Sequence, residues 1–343
     1  MTRRELIADL GAFLIAGRAR QAVSPPPPRL VPTVTGPLGA HRLGLTLMHE
    51  HLLVDFIGAD QVSPNRYDAN QAFDVIRPHL AKARAAGCET LVDCTPAYLG
   101  RDVRLLKRLS EASGVNILTN TGYYGAAKDK HLPKHAFSES AEQLAARWIR
   151  EFEQGIDGTD IRPAFMKIGV DEAPLSEVDA KLVQAAARTA RATGLPIASH
   201  TTTGAAAMAE LELLDRAKVP STAFIWVHAH NERDTSFHTR AAKAGAWVEF
   251  DGLSDTSVER HVELVRRMKT EGLLRRVLVS HDAGWFHVGE PAGGQFRAFD
   301  TLFTQFIPAL TSAGFTKEEV GQLLVENPRR ALTGENLSGI RRD

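Results

Sequence analysis

His49 and His51 stand one residue apart, directly after the apolar run Leu45-Thr46-Leu47-Met48. On a β-strand, residues i and i+2 point to one side. Both imidazoles can therefore reach one metal ion, while Glu50 faces away. A lone His-x-His recurs by chance. Four distant partners at the ends of other apolar runs give this one its weight: Lys167, His200, His228 and Asp282. Imidazoles with one carboxylate form a borderline nitrogen–oxygen site, which suits Zn²⁺ first, then Mn²⁺, Co²⁺ or Fe²⁺. Lys167 is the odd member, because an ammonium cannot bind a metal. A lysine amine kept neutral in a buried, cationic mouth can take up CO₂ to form a carbamate, whose two oxygens can bridge two metals. The plainer alternative for Lys167 is an ion pair with Asp171 or Glu172. His230 shares a face with His228, so either could bind. His228 is preferred because it closes the apolar run Phe224-Ile225-Trp226-Val227.

Such groups need strand ends delivered to one place. Eight strand-like runs alternate with amphipathic helical stretches: 45–49, 90–95, 115–121, 164–170, 196–200, 223–228, 246–251 and 277–282. A helical pattern over 185–193 stops at Gly194, and another over 255–271 stops at Gly272. Thr316 and Glu319 form a capping box that opens a last helix, expected to end before Pro328. Eight βα units predict an α/β fold, a (β/α)8 TIM barrel, in which the C-terminal ends of the strands converge on one mouth. Turn signals within 31–44 predict a short β-hairpin before the first barrel strand. The chain is expected to divide into an arm, 1–30, and one barrel domain, 31–343.

The bulk numbers exclude several classes. Lys+Arg and Asp+Glu both total 41, so no global field draws the protein to nucleic acid or an anionic membrane. No apolar run approaches the roughly 18 residues that span a bilayer. Cys88 and Cys94 fall along one strand and its approach, roughly 20 Å apart at a strand's rise, too far for a disulfide. In the arm, Arg3-Arg4 precede the apolar stretch 6–17, and a proline run, 25–28, follows. That pattern resembles a twin-arginine export signal, although Glu5 and Asp9 are atypical there, and it favours export to the periplasm over a cytoplasmic location. Otherwise the arm is expected to be disordered or loosely helical, and the prolines a stiff linker either way.

The chain resembles the phosphotriesterase-like branch of the amidohydrolase superfamily from about Val31 to Leu332. The motifs are the segment 33–52 with its His-x-His, Gly100-Arg101-Asp102, the strand end 119–122, Lys167-Ile168-Gly169 with Asp171-Glu172, the segment 194–201, Ser280-His281-Asp282 and Asn327-Pro328. The resemblance implies two divalent metals. His49, His51 and Asp282 would hold the more buried one, and His200 and His228 the more exposed one. Carboxylated Lys167 and a hydroxide would bridge them. Two cations lower the pKa of a shared water, and Asp282 can accept its proton, so Asp282 and Lys167 carry the catalytic roles. The implied activity is lactone or carboxylic ester hydrolysis, with phosphotriester hydrolysis as a side reaction. An amidase on the same metals and a non-catalytic metal-binding barrel are the alternatives. Relatives are often dimers, which implies a homodimer.

Aromatic residues after strands 2, 3 and 8 are candidates to line the substrate pocket, since βα loops set specificity in barrels. Tyr98, Tyr123, His230 and Trp285 head that set, with Tyr124, Phe286 and His287 beside them. Tyr98 stands one residue away from the position typical of the lactonases. The seventh loop is short, with thirty residues between Asp251 and Asp282, which counts against long acyl tails and bulky organophosphates. His281 is expected to point into the barrel wall, and His41, His79, His131, His135, His238 and His261 to be solvated.

Overall fold

A computed structural model describes residues 29–334. The twin-arginine segment and the proline run lie outside them. A hairpin of β1 (Leu30–Thr33) and β2 (Gly36–Gly39) precedes the barrel, as the turn signals predict. The barrel strands are β3 (Thr46–Val54), β4 (Thr90–Asp93), β5 (Asn116–Leu118), β6 (Asn120–Thr121), β7 (Phe165–Gly169), β8 (Ile197–His200), β9 (Phe224–Val227), β10 (Trp247–Phe250), β11 (Val277–Val279) and β12 (Ala283–His287).

Closure runs through two broken strands. The third strand is split at Thr119: β5 pairs with β4, and β6 pairs with β7. The eighth is split at 280–282: β11 pairs with β10, and β12 pairs with β3. Every barrel pairing is parallel, so the four-stranded and six-stranded sheets join at both breaks and close an eight-position barrel. The continuous strands expected over 115–121 and 277–282 are thus corrected, and the second break is where Asp282 turns.

Helices α1 (Ala69–Ala85), α2 (Val103–Ser113), α3 (Lys134–Ser138), α4 (Ala141–Gln154), α5 (Glu177–Thr193), α6 (Gly204–Arg216), α7 (Ser236–Ala244) and α8 (Val258–Thr270) follow the strands. α5 starts at a capping box of Ser176 and Asp179 and stops at Gly194, whose φ of 79° only glycine adopts without strain. The chain ends in α9 (Ile307–Ser312), α10 (Lys317–Gly321) and α11 (Asn327–Thr333). Thr316 and Glu319 do cap α10, but the helical path continues through Pro328 to Thr333, beyond the stop expected there. The segment Gln322–Glu326 is a π-turn, with Asn327 N–H bonding Gln322 O. Widening the ladder there relieves the clash a proline ring makes with a regular turn. Pro308 follows a second π-turn, Leu302–Phe306, in the same way.

Two apolar clusters hold the fold. Alternate strand residues such as Leu47, Leu91, Met166, Ile168, Ile197 and Trp226 pack outward against the helices. Their neighbours Met48, Val92, Phe165, Ala198, Ile225 and Trp247 fill the barrel interior, and the base is plugged by Leu38, Leu43 and Leu332. Both cysteines are free and buried, one in each cluster. No helix among the described residues is long and apolar enough to cross a membrane.

Candidate metal centre

Strict alternation would bring only one of Met48 and His49 inside. A β-bulge between Leu47 and Glu50 inserts an extra residue against β4. Met48 then fills the interior, and His49 follows it inward, with its Nε2 3.2 Å from Lys167 Nζ on the far side of the barrel. His51 returns to the same side, its Nε2 3.2 Å from that of His49.

Glu50 faces away, as expected, and meets His281 in the barrel wall. Glu50 Oε1 accepts from Ser280 Oγ at 2.8 Å and from His281 Nδ1 at 2.7 Å, and Oε2 accepts from Ala283 N at 2.9 Å.

His228 would also face outward if β9 simply continued, since Ile225 and Val227 point in. Its φ of 64° turns it into the barrel. Asp282 does the same with φ 52°. Left-handed backbone in these non-glycine residues costs about 1–2 kcal/mol each. It is spent on the two positions where the chain must re-aim a polar side chain at the mouth.

The ring nitrogens are committed in pairs. His49 Nδ1 lies 2.7 Å from Asp251 Oδ2, and His228 Nδ1 lies 2.9 Å from Asp251 Oδ1. A carboxylate can only accept, so both Nδ1 atoms carry protons, and each ring, when neutral, offers its Nε2 lone pair to the cleft. His51 Nδ1 bonds Thr95 Oγ1 at 2.8 Å. Burial, then Lys167, pushes His49 down to about 3. Burial, then His228 and Lys167, holds His200 well below the usual histidine range. Burial alone would raise Asp282, but His51 and His49 pull it below the usual carboxylate range. Burial would likewise raise Asp251, and His228 and His49 outweigh it.

These residues fit a bound cation. Asp282 Oδ1 is buried without a hydrogen bond, although His51 Nε2 stands 3.2 Å away and His49 Nε2 3.8 Å away. The Nε2 atoms of His49 and His51 stand 3.2 Å apart. A cation beside them would give the unpaired Asp282 oxygen a partner and take both imidazoles as ligands. One ligand atom each from His49, His51 and Asp282 lies within 4.8 Å of the others. Lys167 is 1% exposed and has no salt bridge among the described residues. Asp171, its supposed partner, instead accepts from the backbone of Ala127 and Lys128.

All six residues line one cleft of about 80 Å³, whose other wall includes Val54, Phe56, Leu99, Tyr124 and Trp285. Trp285 lines this cleft. Tyr98 and Tyr123 line a separate cavity with Tyr67 and Arg101. Tyr123 packs outward and its hydroxyl meets His135 Nε2 at 3.0 Å. The next residue, Tyr124, takes the cleft position, with its hydroxyl 3.2 Å from His200 Nδ1. His230 also lies outside the cleft lining. It packs behind Asp251, 3.0 Å from Oδ1 but off the hydrogen-bonding angle, and over Gly252.

Asp251 and Thr95, which orient the imidazoles, went unassigned in the sequence. A carboxylate closing the seventh strand was their one visible signal. Three histidines expected in solvent are buried: His131 between Phe56 and Tyr124, His238 donating to Ala229 O, and His261 donating to Ser257 O. The last two lie on the inner faces of α7 and α8, where a backbone carbonyl replaces water.

The model of the phosphotriesterase family matches residues 29–332. A phosphotriesterase homology protein from Escherichia coli (strain K12) is 29% identical over 289 residues, covering 83% of this chain and 96% of its own. The N-acetyltaurine hydrolase of Xenopus tropicalis is 26% identical, covering 88% and 97%. The solved structure of organophosphorus hydrolase from Deinococcus radiodurans superposes with a TM-score of 0.78 at 28% identity, covering 89% of this chain and 98% of that one.

Proposed function

The chain belongs to the phosphotriesterase family, a family of hydrolases, and from that premise we propose a binuclear metal-dependent hydrolase acting on a lactone or other carboxylic ester. One observation carries this reading. The Nδ1 atoms of His49, His51 and His228 are tied back to Asp251 and Thr95, so their Nε2 atoms converge with Asp282 and Lys167 on a single cleft. Neutral imidazoles held by carboxylates are how proteins present histidine to a metal.

His49, His51 and Asp282 would hold one ion, and His200 and His228 the other. Carboxylated Lys167 would lie between them, which explains a buried lysine without an anionic partner. Such a pair, when bound, supplies an acidified water as nucleophile and a Lewis-acid contact for the substrate oxygen. Asp282, whose Oδ1 has no hydrogen bond, would take the water's proton. Tyr124 is kept protonated by burial, so its hydroxyl can donate to the oxygen on which charge develops. Phe56 and Trp285, with ring centroids 5.6 Å apart, give the cleft an apolar wall for the substrate's hydrocarbon part. A planar acyl group enters such a cleft more readily than a three-armed phosphorus centre, so phosphotriester hydrolysis is the minor activity.

Amide hydrolysis is the second reading. It is favoured by the similarity to an N-acetyltaurine hydrolase, and an amide presents the same planar carbonyl.

Elemental mass spectrometry of the purified protein, with a screen of lactones, aryl esters, N-acyl amines and paraoxon-like triesters, tests both. About two metals per chain with ester turnover is the expected result for a two-metal site. One metal or none, with no turnover after reconstitution with Zn²⁺ or Mn²⁺ and bicarbonate, overturns it.

A further inference from the structure

Three consecutive non-glycine residues, Ala127, Lys128 and Asp129, have φ of 62°, 56° and 60°. They form one left-handed turn, closed by Asp129 N bonding Gly125 O at 3.0 Å. L-residues visit this region singly, not in runs. Something outside the turn must hold it.

The holder is Asp171. Its Oδ1 accepts from Ala127 N and its Oδ2 from Lys128 N, each at 3.0 Å. Successive N–H groups in such a turn form a concavity that binds anions, and here a side-chain carboxylate fills it. Asp171 stands two residues past Gly169, the end of the strand that carries Lys167. The turn begins one residue past Tyr124. Between these points the segments are in register: Tyr124 bridges Gly169, and Gly125 N donates to Gly169 O at 3.0 Å. The Tyr124 ring lies over Gly169, where an added Cβ would meet it at 2.9 Å and the Cβ of His200 at 3.2 Å. At the far end of the turn, His131 packs on both Tyr124 and Phe56.

We propose that Asp171 is a positioning residue of the active site: by bonding the amides of Ala127 and Lys128 it holds a left-handed turn that fixes Tyr124 against His200. The role rests on the hydrolase reading above, because it acts through Tyr124. The clamp itself is physical and can be read without substrate.

Amide hydrogen exchange at Ala127 and Lys128 reads the clamp. Both amides exchange slowly in the wild type and at least about tenfold faster in Asp171→Ala, as expected for protected amides released to local opening. Unchanged exchange overturns the proposal, whatever the enzyme hydrolyses. Turnover of a δ-lactone and of 4-nitrophenyl acetate reads the consequence. Asp171→Ala lowers kcat by about tenfold, as small misplacements do, and the same substitution in a Tyr124→Phe background adds little further loss. Equal losses in both backgrounds overturn the link to Tyr124. Placing glycine at 127, 128 and 129 makes the left-handed turn unstrained without the carboxylate and restores much of the lost kcat in Asp171→Ala. A merely structural loss at Asp171 is not rescued by three glycines, so failure of the rescue at an unchanged melting temperature also overturns the proposal. Absence of all turnover in the wild type overturns the hydrolase reading and the Tyr124 link together, and leaves the exchange result to decide the clamp.

Discussion

Asp251 Oδ2 stands 2.7 Å from His49 Nδ1, with both side chains sealed from solvent. The other oxygen of the same carboxylate holds His228. One residue thus sets the tautomer of two imidazoles that belong to different proposed metal positions. Asp251→Ala frees both rings. Metal affinity should fall about 10–100-fold, the usual effect of losing such an outer partner. Competition with a chelator checks this. Asp251→Asn should lose nearly as much, since its amide can present an N–H where an acceptor is needed.

Lys167 points into the cleft with His49 Nε2 as its near neighbour at 3.2 Å. If its carbamate bridges the metals, Lys167→Ala loses most bound metal and nearly all activity. A short carboxylic acid such as propionate, added in millimolar amounts, should restore part of both by entering the vacated space. Metal content measured with and without the acid reads the result. Full metal occupancy in Lys167→Ala would remove the carbamate from the mechanism.

Glu50 has no access to solvent and receives Ser280, His281 and the Ala283 amide. These contacts tie β3 to the break in the eighth strand, where Asp282 turns. Glu50→Ala leaves several buried donors without an acceptor, each costing about 1–3 kcal/mol. The variant should lose at least about 3 kcal/mol, consistent with breaking a buried pair. Chemical denaturation measures it, and a loss under 1 kcal/mol would contradict the account. Glu50→Gln keeps one acceptor and should fall between.

Glu210 gives a pH signature away from the metals. Its carboxyl is wholly buried in α6, with Ser199 Oγ at 2.5 Å and Thr201 Oγ1 at 2.6 Å, and burial pushes it up to about 8. The folded state therefore holds a proton that the unfolded chain releases near 4.5. Its contribution is fully present below pH 4.5 and is lost as pH rises towards 8, by up to about 1.4 kcal/mol per unit. Glu210→Gln cannot ionise. Its stability relative to the wild type should rise steadily from pH 5 to pH 8, and a flat difference across that range would refute the assignment.

The type and order of the elements were legible in the sequence, because alternation and caps are local. Apolar runs gave the eight barrel positions, and Thr316 with Glu319 gave the start of the last helix. The residues gathered at the mouth were legible too, since each breaks or closes an apolar run, although His49, His51 and Lys167 lie within β3 and β7 and only His200 ends its strand. The period of two is lost where the backbone leaves the strand. The bulge beside His49 and the positive φ at His228 and Asp282 depend on how distant strands meet, and no local pattern encodes them. Choosing Tyr124 over Tyr123 for the cleft required the bridge to Gly169, which lies on another strand. Pro328 continues a helix because a π-turn precedes it. Asp251 was visible only as a carboxylate at a strand end; its hold on two histidines exists because the closed barrel brings the first, sixth and seventh strands together. The sequence by itself determined which chemical groups reach the mouth. The tertiary structure decided which way they face and what holds each of them, because direction and hydrogen-bond partner are properties of neighbours far apart in the chain.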